Sequence, residues 1–459
     1  MVLRRPYHTF FICLQKRNKR HTSINSQKNS FISGRQDFIP NIIHNFAHVS
    51  ILADWRYKFM FKKILSIFLK FTYATVLVAI MLVVATSVSV IYDFQEPAPF
   101  QGDSIFNPYR NYDSAIGWKR AVFHVHTRVS GPLNECEMWP DKVLESLKKF
   151  DYDIVTFSNH NELTKHPVDS TLQVNVYEHG YNLFKYHKLV FGCEEVNHFD
   201  HMLPFIASQK QFQIDLLAKD ADIIQMNHVL RTKMIPSDQL KKIGGYKLME
   251  LDSGRSTENT YWDDALSAGH YSFGVANDDL HFPDRSHCIA VRCNFLCTPS
   301  GRYDDIRKTL LDGAYYSMRI PDYGNGDWET KYEQNRRLPY ITDIGLQDST
   351  IYISVSALAD SIKFTGQNHS ILALACNTDT ASYVMRMDDH YARITVYFPQ
   401  GEVIYSNPFA RYDATLSDTP FRENTHSANY MLTALLNLML IAMLIATACL
   451  FNKLVIRRK

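Results

Sequence analysis

The chain has 459 residues and 8 cysteines but no Cys-x-x-Cys pair. It therefore carries no signal for a cysteine-ligated structural zinc or a dithiol redox motif. It shows no internal repeat, which sets solenoid and propeller arrays aside. Net charge is almost missing too: 49 Lys and Arg against 47 Asp and Glu leave +2. That near balance conceals an uneven distribution. Residues 1–63 hold twelve Lys and Arg and two acids, Lys70 adds one cation, and Lys453, Arg457, Arg458 and Lys459 close the chain. With +15 on these flanks and +2 in all, the centre carries −13. Such a centre is a poor electrostatic partner for nucleic acid or an anionic lipid surface.

Charge is absent altogether from two apolar stretches, Phe71 to Tyr92 and Ala428 to Asn452. Each exceeds the roughly 20 residues that a helix needs to cross a bilayer core. Lys62, Lys63 and Lys70 precede the first stretch, and the basic tail follows the second. The positive-inside tendency then puts both termini in the cytoplasm and residues 93–427 on the far side of a cell membrane. A cleaved signal peptide is disfavoured, because no small-x-small site ends the first stretch. Residues 1–59 are basic and polar without sustained period, and Met60-Phe61-Lys62-Lys63 reads as a natural membrane-protein start. The expectation is a disordered tail or a mis-extended start over 1–59.

The remaining boundaries follow from changes of texture. Residues 60–92 and 428–452 are the expected transmembrane helices, 93–118 a Pro-, Gly- and Asn-rich linker, and 453–459 a cytoplasmic basic tail. From Lys119 to about residue 339, short apolar strands alternate with helical stretches, which argues for an α/β domain with a largely parallel sheet. Between residues 340 and 427 the pattern is alternating and β-rich, like a small sandwich. Cys288, Cys293 and Cys297 lie close enough in sequence to raise a disulfide in an oxidising compartment; buried thiols are the alternative.

The chemistry sits in a histidine-acid series along the α/β part: His124-Val125-His126-Thr127, Ser158-Asn159-His160-Asn161, Gly192-Cys193-Glu194, His201, Asn227-His228 and Asp279-Leu280-His281. Almost every member ends a short apolar run. Residues i and i+2 of a strand share a face, so His124 and His126 can serve one ion while Val125 packs inward. His-x-His alone is a weak signal; its repetition at strand ends carries the argument.

The order of these motifs resembles the PHP (polymerase and histidinol phosphatase) family of phosphoesterases over roughly residues 119–316. The resemblance implies a distorted (β/α)7 barrel, here with a C-terminal β-rich segment and two transmembrane helices. It implies a first metal held by His124, His126, Glu194 and Asp279. Glu194 would bridge to a second ion completed by His201 and His228, and His160 and His281 would contribute to a third. Zn, Mn and Fe suit imidazole and carboxylate donors alike. The series departs from the family after His126, where an expected acid or His is missing. That leaves two or three divalent ions, with the loop acids Glu135 and Glu137 read as surface residues and substitution as the alternative. Asn159 replaces a family Asp.

The implied reaction is hydrolysis by a water that the ions activate, with no protein nucleophile. Arg128 and Arg231 are the cations nearest the motifs and the candidate phosphate contacts. His44, His48, His166, His179, His187, His198 and His287 fall outside the pattern and read as ordinary histidines. The leading expectation is a membrane-anchored, metal-dependent phosphoesterase acting on a small-molecule, lipid or cell-envelope phosphoester, with no nucleic-acid partner. Hydrolysis of carboxylic or carbamate esters or amides on the same cluster is the alternative, and a non-catalytic receptor module the third reading. N-terminal sequencing of natively expressed protein tests the start: Met60 should lead, and peptides from residues 1–59 would exclude it.

Overall fold

A computed structural model describes residues 39–131, 134–232, 235–252, 259–422 and 425–456, with side chains from residue 55 onward. Two parts of the expectations, residues 1–38 of the tail and 457–459 at the basic end, lie outside the described residues. Contacts divide the chain into residues 1–70 and a second unit, Phe71–Lys459. Helix α1 (Ile39–Ala85) is continuous, so residues 39–59 are helical where a tail was expected. Trp55–Ala85 and Tyr430–Ile456 are long and apolar enough to cross a membrane.

The second unit is built from short strands that feed loops at one end. Strands β1 (Tyr92–Phe94), β2 (Ser104–Phe106) and β3 (Lys119–Val122) lead to helix α2 (Pro140–Lys148) and β4 (Ile154–Val155). Proline at its first position starts α2, and its apolar spacing buries Val143, Leu144 and Leu147. Next come β5 (Val176–His179), β6 (Lys188–Phe191), α3 (Ala207–Leu217), β7 (Ile223–Met226), α4 (Val229–Thr232), α5 (Ser237–Leu240), β8 (Leu248–Glu250), α6 (Thr260–Ser267) and β9 (Phe273–Val275). Strands β5 to β9 form a five-stranded sheet in chain order. Its first three strands pair antiparallel and the rest parallel.

The chain then forms β10 (Arg292–Leu296), α7 (Tyr303–Asp312), β11 (Tyr315–Arg319), α8 (Trp328–Asn335), β12 (Ile341–Gln347), β13 (Thr350–Thr365), β14 (Ile371–Val384), β15 (Tyr391–Tyr397), β16 (Val403–Ser406) and β17 (Phe409–Tyr412). These strands, with β2, β3 and β4, make an 11-stranded sheet whose main path runs β12-β13-β15-β16-β11-β10-β3-β4. The segment expected as a small sandwich therefore lies in the same sheet as β3, the strand that leads into His124, joined to it through β16, β11 and β10.

A distorted (β/α)7 barrel was expected; among the described residues no closed barrel is found. The sheets are open, and β10 pairs antiparallel to both β3 and β11. Eight residues, 180–187, join β5 to β6, too few for the helical crossover that a parallel pair requires. Two isolated parallel bridges, Val125 to Leu280 and His160 to Glu178, nevertheless stitch the strand ends together. The segment around His201, read as a strand, is instead an irregular run into α3. Cys288, Cys293 and Cys297 are free thiols.

The two apolar helices meet the domain through paired segments. Strand β1 pairs antiparallel with β18 (His426–Ala428), directly before α9 (Tyr430–Phe451). Thr433 Oγ1 accepts from the Ile91 backbone N–H at 2.9 Å. The Asn437 side chain accepts from Ser89 N–H and donates to its carbonyl, at 3.4 and 3.2 Å. These two polar residues of a mostly apolar helix thus serve backbone groups of Ser89 and Ile91.

Lys188 is fully buried in β6, and its ammonium donates to the Tyr186 carbonyl and Gln213. Burial pushes it down to about 7, against about 10.4 in an unfolded chain. Between these values the unfolded chain holds a proton that the folded chain lacks, so stability should rise as pH goes from 7 towards 10. Thermal unfolding in detergent across that window should show the rise, and Lys188→Met should remove about one proton of slope; an unchanged slope would contradict the assignment.

Candidate metal centre

Strand ends β3, β4, β5, β7, β8 and β9 and the start of β6 converge on one carboxylate, Glu178, the penultimate residue of β5. It is 1% exposed. Its Oε2 lies 3.2 Å from His124 Nε2, 3.2 Å from His126 Nε2 and 3.1 Å from His160 Nε2. Its Oε1 lies 3.2 Å from both His187 Nδ1 and His228 Nε2 and accepts from the Asn227 amide at 2.9 Å. Asp279 Oδ1 approaches His124 Nε2 at 3.1 Å and His126 Nε2 at 3.2 Å. Glu135 Oε2 reaches His160 Nε2 at 3.2 Å, His281 Nε2 at 3.5 Å and His126 Nδ1 at 3.6 Å.

Local structure explains why each group arrives. The His124–His126 stretch is gripped from both sides: Val125 exchanges backbone and hydroxyl bonds with Ser158, and His126 N–H donates to the Leu280 carbonyl at 2.9 Å. Val125 itself is fully buried, as the alternation of a strand requires. Asp278 accepts from the backbone N–H groups of Ala290, Val291 and Arg292, fixing the turn that presents Asp279. Asp279 and His228 both hold positive φ, 52° and 33°. Non-glycine residues rarely adopt such values, and they cluster at sites that surrounding contacts over-determine. Asn159, where the family has an acid, accepts from Thr127 N–H and donates to the hydroxyls of Thr127 and Thr164. An ionised carboxylate could not make the two donations.

Electrostatics follow from this crowding. Burial alone would raise the Glu178 carboxyl, but the imidazoles of His124, His160 and His187 hold it well below the usual carboxylate range. Burial opposes a charge on His124, yet Glu178, Asp279 and Glu250 lift it well above the ordinary imidazole value. His126 rises against the same burial to about 9, through Asp279 and Glu178. On His160 and His228 burial outweighs Glu178, and both are lowered.

The arrangement fits divalent ions. Ligand atoms of His124, His126, Glu178 and Asp279 all lie within 4.8 Å of one another, as do those of His126, Glu135 and His160 and those of His160, Glu178 and His187. Nitrogen–oxygen edges of 3.1–3.2 Å in the first group approach the ~3.3 Å that a tetrahedral ion with ligands at ~2.0–2.1 Å sets between neighbours. His124 Nε2 is buried without a hydrogen bond despite those neighbours. Its other nitrogen, Nδ1, lies 3.0 Å from Glu250 Oε1, the carboxylate–histidine pairing that orients metal-binding imidazoles.

Of the residues singled out from sequence, the structure brings together His124, His126, His160, His228, Asp279 and His281. Glu194 and His201 are elsewhere. Because β6 runs antiparallel to β5, with His179 opposite Lys188 and Val176 opposite Phe191, its end carries Glu194 away from the cluster. Glu194 is exposed. His201 is buried against Phe212, with Nδ1 2.6 Å from the Thr86 carbonyl. The places assigned to them are taken by Glu178 and His187, which sequence reasoning passed over together with Glu250. A signal existed for His187: it directly precedes the apolar run Lys188–Phe191, at the edge of a strand. Arg231 pairs with Asp279 at the cluster edge, whereas the Arg128 guanidinium sits over the Trp139 ring at 5.2 Å. Two cavities of about 580 and 690 Å³ contain none of the cluster residues.

No family model matches the chain, and no curated protein does. Among solved structures it is similar to a two-domain protein from Bacteroides vulgatus containing a predicted PHP-like metal-dependent phosphoesterase. That likeness has 11% identity over 69% of this chain and 100% of the other, with a TM-score of 0.32. It is also similar to a lesion-specific endonuclease from Pyrococcus furiosus, at 15% identity over 42% of this chain and 56% of the other, with a TM-score of 0.30. Likenesses this distant say nothing of the chemistry, which rests on the side chains.

Glu178→Gln should strip bound Mn²⁺ or Zn²⁺ from the purified chain, while Glu194→Gln and His201→Ala should keep it, as read by metal analysis. Glu250→Gln should weaken metal affinity about 10–100-fold. Because the carboxylates hold His126 up at about 9, metal loading at neutral pH should release protons and tighten as pH rises. Calorimetric enthalpies that do not vary with buffer ionisation would contradict this.

Proposed function

We propose that this chain is a metal-dependent hydrolase, most specifically a phosphoesterase, held by two membrane-spanning helices with its catalytic domain on the extracytoplasmic side. The observation that carries the chemical reading is the buried Glu178 carboxylate with five imidazole nitrogens at 3.1–3.2 Å. The basic residues on the outer flanks of both apolar helices support the topology.

His124, His126, Asp279 and Glu178 Oε2 would hold one ion, and Glu178 Oε1 with His187 and His228 a second. Glu135, His160 and His281 would hold a third, so Glu135 supplies the acid that the sequence lacked after His126. When bound, such ions supply an activated water and neutralise charge on a phosphoryl group. The protein's own part is to position. Glu250 keeps a proton on His124 Nδ1 and so leaves Nε2 as the donor that faces the cluster. The Asp279 carbonyl does the same for His281 by accepting from Nδ1 at 2.7 Å. Arg231, 44% exposed and already beside Asp279, is placed to take a phosphate oxygen through its guanidinium fork. Glu135, also exposed, closes the open side.

The full chain in detergent with Mn²⁺ or Zn²⁺ should hydrolyse nitrophenyl phosphate in preference to nitrophenyl acetate. His124→Ala with His126→Ala should abolish turnover, and Arg231→Ala should raise KM by at least about tenfold, a loss of ~1.4 kcal/mol. Phosphate turnover that survives the double substitution, or faster acetate turnover, would count against the reading.

A further inference from the structure

The turn between β5 and β6 and the segment that follows β6 form an apolar collar. Tyr181, Leu183, Phe205 and Ile206 are 48, 67, 57 and 41% exposed. Leu183 N–H donates to the Met202 carbonyl at 3.1 Å, and the rings of Phe184 and Phe205 meet edge-on at 5.3 Å. The two segments therefore make one surface.

This surface joins the cluster on two sides. His187 closes the same turn that carries Leu183, and its Nδ1 lies 3.2 Å from Glu178. Gln239, in α5, the helix after the α4 that carries Arg231, donates to the Phe205 carbonyl at 3.0 Å. Lys210 tightens the joint by donating to the Pro204 carbonyl and to Gln239, at 2.6 and 2.7 Å.

The collar is also fastened to the end of α1. His201 Nδ1 donates to the Thr86 carbonyl at 2.6 Å and Met202 N–H to the Thr86 hydroxyl at 3.3 Å, while Tyr92 N–H donates to Ser208 at 3.1 Å. Residues 201–208 thus run beside residues 86–92. Asn437 marks the depth of that run. It bonds Ser89 and stands seven residues into α9, about 10 Å along the helix. Thr86 lies beyond Ser89 in the same direction, so the collar is level with the first apolar turns of α9.

We propose that the collar sits in the interfacial layer of the bilayer and that the substrate is a phosphate ester carried on a lipid, which reaches the cluster along the collar. The proposal rests on the phosphoesterase and membrane-spanning readings above. Aromatic and aliphatic side chains at this level gain by entering the interface. The acidic domain is repelled by anionic surfaces, so the contact is apolar and holds in high salt. Hydrolysis adds one water: its oxygen bonds phosphorus, the lipid-side P–O bond breaks, and the lipid oxygen takes a proton.

The test uses the full chain with Mn²⁺ in phosphatidylcholine vesicles, assayed on dioleoyl phosphatidic acid in the bilayer and on soluble nitrophenyl phosphate. Leu183→Ser with Phe205→Ser should cut lipid turnover at least about tenfold and leave nitrophenyl phosphate turnover within about twofold. Equal effects on both substrates, or turnover of nitrophenyl phosphate alone by the unaltered chain, would overturn the lipid assignment while leaving the phosphoesterase reading intact. Turnover of neither substrate would sink the phosphoesterase reading and, with it, the lipid substrate. A separate measurement judges the collar without any turnover: Phe205→Trp should add fluorescence that brominated phosphatidylcholine quenches, and unquenched emission would overturn the insertion.

Discussion

Glu178 carries its charge where no bulk water can spread it, and the domain around it is arranged to make that tolerable. An ionised carboxylate in the interior costs several kcal/mol unless partners surround it. Here five imidazoles and one amide do so, and they come from segments far apart in the chain: His124 and His126 after β3, His160 after β4, His187 before β6, Asn227 and His228 after β7. No one of these segments can shift without exposing a charge or orphaning a nitrogen. The bridge from His160 to Glu178 and the one from Val125 to Leu280 are therefore the structural expression of the same constraint. They hold strand ends together where no continuous ladder does.

The same constraint explains how much of the site is legible in the sequence. Residues whose role depends on local spacing are readable: His124 and His126 share a strand face, and Asp279 and His281 share a turn. Asn227-His228 closes an apolar run that is indeed a strand. What local spacing cannot reveal is strand direction. Assigning the bridging carboxylate to Glu194 presumes that β6 ends at the cluster, as it would in a parallel crossover. The hairpin register puts the start of β6 there instead, so the acid comes from the strand before and the histidine from the residue just ahead of β6. One reversed strand thus moved two of the expected residues away from the cluster. Glu135 escaped for a different reason: a loop acid looks like any surface acid until its distance to His160 is known.

The β-rich part shows the same lesson at larger scale. Its strands are visible from alternation, and β12 to β17 fall within the stretch read as β-rich. Their partners are not. Tyr316 of β11 pairs with Ser406 of β16, and Asn294 of β10 with Ala121 of β3. A continuous ladder thus runs from the late strands to the base of the His-x-His segment. Non-local pairing of this kind leaves no mark in a strand's own sequence, because each face need only be apolar. Its consequence for the site is rigidity: β3 is an interior strand, flanked by β10 and β4, and cannot fray at the residue before Phe123.

Protons and metal ions compete for the same imidazole nitrogens, and the two kinds of histidine at this site divide that competition. His124 and His126 both face Glu178 and Asp279 and bind protons strongly, so they would give up affinity for metal as pH falls. His160 and His228 are held neutral by burial and stay available as donors over a wider range. Ions that lean on His160 or His228 would therefore be less pH-sensitive than one held beside Asp279 by His124 and His126. The cause is geometric. Asp279 lies 3.1 Å from His124 and 3.2 Å from His126, so the carboxylate that would strengthen metal binding there is also one that strengthens the proton.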